Sequence, residues 1–518
     1  MSTSENSAQN SSFISKLIKS IFPVEKKDAE KVFIIFFLFF FISFIYNIIQ
    51  PLKKTIMMYT PGAGTEAMPY LKPLAIVPGS VLLTWYYLKL SAHFNRDTVF
   101  RVIIMTFTAY FILYTFVLNP FKDFFTLDTI ADGLLYILPK NFQAMPSLIR
   151  YWMHTLFYAF AELWGATVLS LLLWGLVNEI STQDEAKATY ALFSVGANSS
   201  GIFAGKLSSF LSKLPFNPNF PYGSSQWDQS FLRIMLVVIA ASCAILIVYR
   251  HFVKKGYTAK IAFAPPIQVD GEKQKISVFD CFKEVFKSKN LLYITIIVMS
   301  YNLVYNLSDI VFNKRVELTF GPENKVASNA FMSYVQMYTG VISTILALVI
   351  SNFALKRFGW TFTALITPVA YFLSGAIFYA AQINGLADYF NFFAIDPSML
   401  ALYAGGMHIC FTRGSKYSVF DATKEMAYIG LTPQERSNGK AAIDGVASRF
   451  GKSGGSMIML FLYAFMGNDI IRLIPYVFFI VGIITILWML AVRNLGRYYD
   501  KRQKTEVIEE VILDKNPA

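Results

Sequence analysis

Two stretches without a single charged side chain, Phe33–Ile49 and Val477–Val492, set the terms for this chain. Crossing a hydrocarbon core of about 30 Å takes a helix of about twenty mostly apolar residues, and comparable runs recur from end to end. Of the 518 residues 55% are hydrophobic and only 15% charged, where a soluble domain carries about 25% charge. The chain reads as an all-α membrane protein. Spans are expected at approximately 31–58, 70–91, 99–118, 152–177, 188–212, 230–250, 291–313, 331–354, 360–382, 397–418, 440–466 and 472–493. Pro51 is expected to kink the first.

The net charge of +13 comes mostly from connecting segments, as the positive-inside rule requires, and does not imply nucleic acid. Lys16, Lys19, Lys26, Lys27 and Lys31 precede the first span. Lys254, Lys255, Lys260, Lys273, Lys275, Lys283, Lys287 and Lys289 lie between the sixth and seventh. Arg493, Arg497, Lys501, Arg502 and Lys504 follow the last. An even number of spans puts all three clusters on one side, so both termini and the central loop are expected to be cytoplasmic. Asp123, Asp128, Asp132 and Asp469 fall on the opposite face. Met1–Ser12 is polar and carries Glu5, unlike a signal or transit peptide, which leaves the first span as the insertion signal.

The central loop, with Pro265, Pro266 and Gly271, divides the spans six and six, the layout of major-facilitator transporters. The expected organisation is a cytoplasmic segment 1–30, a six-helix bundle 31–250, a cytoplasmic linker 251–290, a second bundle 291–493 and a cytoplasmic tail 494–518. A faint echo supports duplication. Thr182-Gln-Asp-Glu185, Lys187 and the Gly196–Gly201 stretch are followed half a chain later by Thr432-Pro-Gln-Glu435, Lys440 and the Gly451–Gly455 stretch.

Charged residues inside apolar spans carry the functional signal. An ionised group at the centre of a lipid-embedded helix costs roughly 2.5–3.5 kcal/mol on insertion scales, so such groups are expected to face a polar cavity. Glu162 interrupts the run Tyr158–Trp174, and Asp309 sits in Asn306-Leu-Ser-Asp309. Arg413, Lys416, Arg449 and Lys452 mark two more spans. Lys53 and Lys54 could snorkel to headgroups, but apolar sequence resumes after them, so the helix is expected to continue with one lysine facing inward. Cations in this number suit an oligophosphate, with lysine as a compact charge and arginine as a bidentate fork.

Other features point elsewhere. Gly451-Lys-Ser-Gly-Gly455 is not a phosphate-binding P-loop, because Val446 stands where the first glycine belongs and the motif lies in a span. Its glycines are expected to permit close helix packing, with Lys452 facing the cavity. Trp164, Trp174 and many tyrosines are read as lipid-facing or interfacial, and His154 and His408 as packed side chains. Asp421, Lys424 and Glu425 form either a gate or interfacial pairs. Cys243, Cys281 and Cys410 have no metal-like spacing. No metal, cofactor or catalytic cluster is expected, and the chain is not expected to be an enzyme.

At these residues the chain resembles the non-mitochondrial ATP/ADP antiporter family of plastids and obligate intracellular bacteria. The likeness rests on Thr60-Pro-Gly-Ala-Gly64, Ala161-Glu-Leu-Trp-Gly165, Asn178-Glu-Ile180, Glu185-Ala-Lys187 and Gly196-Ala-Asn198. It continues through Phe358-Gly-Trp360, Phe420–Tyr428, Gly439–Asp444 and Arg449–Gly455. The resemblance implies a major-facilitator-like fold and nucleotide transport without hydrolysis. It places the family's functional lysines on Lys53 and Lys452 and its span-four glutamate on Glu162. Asp309 stands where the family has a glutamate, Lys54 where dedicated ATP/ADP exchangers have an acid, and Arg413 where a lysine is usual.

The expected function is therefore secondary transport of nucleotides by alternating access, as ATP/ADP-type exchange or with broader specificity. The alternatives are proton-coupled import of nucleoside triphosphates and NAD/ADP exchange. Lys53, Glu162, Asp309, Lys452, Lys54, Arg413 and Lys416 are the expected substrate site. Lys53 and Lys452 are expected to meet in one vestibule. A monomer in the lipid bilayer of an intracellular bacterium's inner membrane is expected, with nucleotides as partners and protons as well under the symport alternative.

Overall fold

The structure, a computed structural model, describes residues 29–181, 183–258, 288–383, 386–392, 396–429, 439, 443 and 447–515. The basic segment before Ala29, linker residues 259–287, Thr182, residues 432–435, Lys440 and Asp444 lie outside the described residues.

Among the described residues nine helices are long and apolar enough to cross a membrane. They are α1 (Ala29–Met58), α2 (Thr65–His93), α3 (Arg96–Leu118), α4 (Trp152–Ile180), α6 (Gln226–Lys254), α7 (Lys289–Phe320), α8 (Pro322–Ala347), α9 (Arg357–Ala380) and α12 (Ile470–Tyr498). The remaining expected spans also fall on helices: α5 (Gln183–Lys213), α10 (Pro397–Ser415) and α11 (Ser448–Met466). These three are the more polar ones, carrying Asn198-Ser-Ser200, Arg413 and Lys452. A helix satisfies its own backbone groups, so this set of helices is what an apolar solvent demands.

Local chemistry fixes the ends. Ser225 and Asp228 form a reciprocal capping box at the start of α6, each side chain accepting the other's backbone N–H (3.2 and 3.1 Å). Asn95 caps α3 and Asp396 caps α10, where Pro397 occupies the first turn and needs no N–H partner. Gly359, near the start of α9, adopts φ +76°, a conformation other residues resist, and kinks the chain there. Pro51 lies inside α1, which runs unbroken past it to Met58.

The chain divides into two compact units. The first comprises Met1–Lys53, Ile76–Phe125 and Leu156–Gln268; the second comprises Lys54–Ala75, Thr126–Thr155 and Val269–Ala518. In the first, Phe39 of α1 stacks on Phe193 of α5 (5.3 Å), and Phe107 of α3 meets Trp164 of α4 edge-on (5.4 Å). Trp164 corrects the sequence reading. It is fully buried, and its Nε1 donates to the Ile42 carbonyl at 3.0 Å, a partner that a lipid-facing indole would lack. In the second unit, Trp488 packs against Tyr301 and Phe420, and the Tyr371 hydroxyl donates to the Val304 carbonyl and is hydrogen-bonded to the Ser308 hydroxyl. The acidic stretch after α3 is structured too: Arg150 pairs with Asp128 and Asp132 on the short helix Asp128–Ile137.

Candidate functional site

α1 continues through Lys53 and Lys54 and buries both, so neither reaches a headgroup. Lys53 forms an ion pair with Glu162 of α4, and its ammonium lies 4.7 Å from the centroid of the Tyr158 ring. Tyr158 and Glu162 are one helical turn apart, so one face of α4 offers a carboxylate and a π-face to the same cation. The Lys53 side chain is 1% exposed and that of Glu162 39%, so the ammonium is enclosed while the carboxylate is partly open.

Lys54 forms its own ion pair with Asp309 of α7, the two side chains 10% and 14% exposed. Asn313, one turn further along α7, donates to the other carboxylate oxygen at 3.2 Å. A buried ion pair needs such additional hydrogen bonds to offset the loss of water. Thr65 N donates to Glu317 at 3.0 Å and Lys314 bridges Glu66 and Glu317 (2.8 and 3.3 Å), tying the Gly64 turn to the end of α7.

The remaining candidates sit in the second unit with partners of their own. Arg413 is buried and donates to Gln336 of α8 at 2.6 Å. Lys416 pairs with Asp421 at 3.1 Å and lies 4.4 Å from the Tyr417 ring centroid. Lys424 pairs with its neighbour Glu425 at 3.2 Å. His408 is packed, with Ser374 at 2.8 Å from Nδ1 and the Tyr371 ring edge-on at 4.4 Å.

Lys452 is exposed on α11, one residue from a seam of close packing. A methyl group on Gly455 would lie 2.8 Å from Cβ of Asn306, and one on Gly451 2.9 Å from Cβ of Asn302. Glycine is what lets α11 approach α7 so closely, the packing expected from the sequence. Ser456 then donates to Asn306 at 3.1 Å.

The first unit repeats this device. Asn47 of α1 donates to Ser200 of α5 at 3.0 Å, and a methyl on Gly196 would strike the Phe36 ring of α1 at 2.8 Å. On α1 the polar stripe Ser43, Asn47, Gln50, Lys54 has the same spacing as Asn302, Asn306, Asp309, Asn313 on α7. Sequence reasoning missed Tyr158, Gln336 and the two asparagines. The asparagine stripes were visible as polar residues recurring at helical spacing inside apolar spans.

A sequence profile of the TLC ATP/ADP transporter family matches residues 7–499. The chain belongs to that family. Similar relatives include ADP,ATP carrier protein 2 of Chlamydia pneumoniae, 32% identical over 94% of this chain and 92% of the relative. ADP,ATP carrier protein 1 of Chlamydia trachomatis serovar D is 33% identical over 93% and 91%. The chloroplastic ADP,ATP carrier protein 1 of Arabidopsis thaliana is 31% identical over 95% and 77%. Among solved structures, a bacterial homologue of the iron transporter ferroportin in an inward-facing state superposes with TM-score 0.56 at 12% identity, covering 90% of this chain and all of that one. A D-xylose-proton symporter gives 0.55 at 11% identity, covering 90% and 96%. Family and architecture agree: this is an integral membrane protein with a major-facilitator-like, all-helical fold.

Proposed function

We propose that this TLC-family protein carries nucleotides across a membrane by alternating access, exchanging one for another without hydrolysis. Its relatives' names supply the ATP/ADP class, and the paired lysines supply the chemistry. Lys53, Lys54, Lys452, Arg413 and Lys416 act as cations for the phosphates. Glu162 and Asp309 neutralise Lys53 and Lys54 when no anion is bound. The observation that carries this reading is the pairing of two consecutive lysines, inside an apolar helix, each with a carboxylate of its own.

A lysine held by a carboxylate in a low-dielectric setting can give up that partner only to another anion, because an uncompensated buried charge costs several kcal/mol. Phosphate oxygens are such anions, with charge and acceptor geometry to match. The same cost disfavours reorientation of an empty carrier with its lysines exposed and unpaired, which favours exchange over net uptake. The reading includes six helices on either side of a cytoplasmic linker, cytoplasmic termini, a monomer, and residence in the inner membrane of an intracellular bacterium.

The test is uptake of labelled ATP and ADP into proteoliposomes that are empty or preloaded with nucleotide, with and without a protonophore. Uptake that depends on preloading and ignores the protonophore is expected. Uptake into empty vesicles that collapses with the proton gradient would replace exchange by symport. Absence of nucleotide uptake in every condition overturns the reading.

A further inference from the structure

Asp309, Asn313 and Glu317 follow one another at one-turn intervals on α7, and each meets the stretch Lys54–Met68. Asp309 pairs with Lys54, Asn313 donates to Sδ of Met68 at 3.5 Å, and Glu317 accepts from Thr65 N at 3.0 Å. We infer that Glu66, Lys314 and Glu317 are positioning residues for the Lys54–Asp309 anion site, their ion triad setting the rotation at which α1 presents Lys54 to α7. The inference rests on the transporter reading and deepens it, since it gives the phosphate contact a support two turns along α7, about 12 Å away.

The site depends on the rotation of α1. Lys53 and Lys54 leave the helix about 100° apart, and each has its own carboxylate, Glu162 or Asp309. Turning α1 by one residue would withdraw Lys54 from Asp309 and bring Lys53 or Thr55 round in its place. The ion pair alone resists such a turn weakly, because lysine carries its charge on a flexible four-carbon stem. A tie made through the backbone beyond the site resists it better.

The triad makes that tie. Gly64 adopts φ +60° and, lacking a side chain, gives α2 no cap of its own. Glu317 supplies the missing acceptor to Thr65 N from α7, where a carboxylate also suits the positive end of a helix. Lys314 holds Glu66 and Glu317 at 2.8 and 3.3 Å, in a setting where the side chains are only 13–18% exposed. A methyl on Gly64 would lie 2.7 Å from a carboxylate oxygen of Glu66 and 3.1 Å from one of Glu317, so both carboxylates close over the glycine. Two carboxylates thus face one ammonium and one helix N-terminus. Enclosed charges joined in a network hold their geometry in a way that an exposed pair does not.

The tie reaches α1 through a short connection. Only six residues, Tyr59–Gly64, separate Met58 from Thr65. Tyr59, Thr60 and Ala63 are buried, and Thr60 N and Ala63 N donate to the carbonyls of Met57 and Thr60 at 3.2 and 3.0 Å. A hydrogen-bonded link of this length leaves little freedom between Glu317 and the last turn of α1.

The experiment measures nucleotide exchange by preloaded proteoliposomes, and melting temperature in detergent, for Glu317→Gln, Lys314→Met, Lys314→Arg and Glu66→Gln. The first two are expected to raise the KM for nucleotide about three- to tenfold with little change in kcat, a partial loss of the charged contact at Lys54. Lys314→Arg should stay close to normal, because a guanidinium can serve both carboxylates. The second readout is the coupling of Lys54 to Asp309, taken from melting temperatures of Lys54→Ala, Asp309→Asn and both together. It is determined in the unsubstituted chain and again in each triad variant. Coupling that is present in the unsubstituted chain and falls in the variants whose KM rises supports the inference. Coupling that persists at full strength overturns it, since the triad would then add stability alone. Lost coupling with unchanged KM overturns it as well, because the substrate would not use the placement of Lys54. Both of these outcomes leave the transporter reading standing, whereas absence of exchange by the unsubstituted chain overturns both. Should Glu317→Gln or Lys314→Met accumulate poorly, Glu66→Gln decides by the same outcomes, because it keeps the Thr65–Glu317 bond and the Lys314–Glu317 pair.

Discussion

Lys53 and Lys54 are neighbours in sequence, yet Lys53 takes its carboxylate from Glu162 in the first compact unit and Lys54 from Asp309 in the second. Side chains of consecutive helical residues diverge by about 100°, so one helix can serve two carboxylates without either competing for the other's cation. The arrangement gives each lysine a carboxylate of its own.

Lys53→Ala removes the cation and leaves Glu162, which is 39% exposed rather than enclosed. Folding should therefore survive while the phosphate contact is lost. Uptake of labelled nucleotide is expected to fall at least about a hundredfold, the loss of a charge-assisted contact in a desolvated site. Detergent-solubilised material should retain a normal monodisperse elution profile. Uptake within a few-fold of normal would remove Lys53 from the site.

The Lys54–Asp309 pair is drier on both sides, so the same surgery should behave differently. Lys54→Ala leaves a nearly buried carboxylate with Asn313 as its donor among the described residues, and thermal stability is expected to drop sharply. Adding Asp309→Asn removes the orphaned charge and should recover much of that loss. A double-mutant cycle on melting temperature should give a coupling of about 1–3 kcal/mol. Additive effects would show that the pair is not coupled in the folded protein.

What was legible in the sequence follows from the solvent. Apolar spans cannot hide, because lipid imposes length and hydropathy at once, and every expected span meets a helix among the described residues. The charged candidates were legible for the same reason: Glu162 and Asp309 violate the run that contains them. Pairing was not legible. Nothing in Lys53-Lys54 says which lysine faces α4 and which α7, since that depends on helix rotation set by tertiary packing. Trp164 was misread because aromatic residues suit both a lipid boundary and a buried core, and only the Ile42 carbonyl decides between them.

Glycine packing of α11 on α7 makes a prediction with an internal control. Any side chain on Gly455 would meet Cβ of Asn306 at 2.8 Å, whereas nothing lies within 4 Å of a methyl on Gly482 of α12. Gly455→Leu is expected to force the helices apart and cost at least about 1–3 kcal/mol, as overpacking does. Gly482→Leu should be tolerated. Thermal denaturation of the two variants in the same detergent checks this, and similar melting temperatures would refute the close-approach argument.

The Asn47–Ser200 and Asn306–Ser456 bonds test whether the two halves descend from one design. Each joins an asparagine in a matching polar stripe to a serine on a helix that approaches through glycine. Interhelical hydrogen bonds in membrane proteins average about 0.6 kcal/mol and reach about 1.7. Asn47→Ala and Asn306→Ala should each lose stability in that range. Within each pair the serine variant should add little to the asparagine variant, because both delete the same bond. Melting temperatures of the four single and two double variants decide the matter. Full additivity in one pair and none in the other would show that the likeness is geometric only, and that the two bonds have no equivalent role.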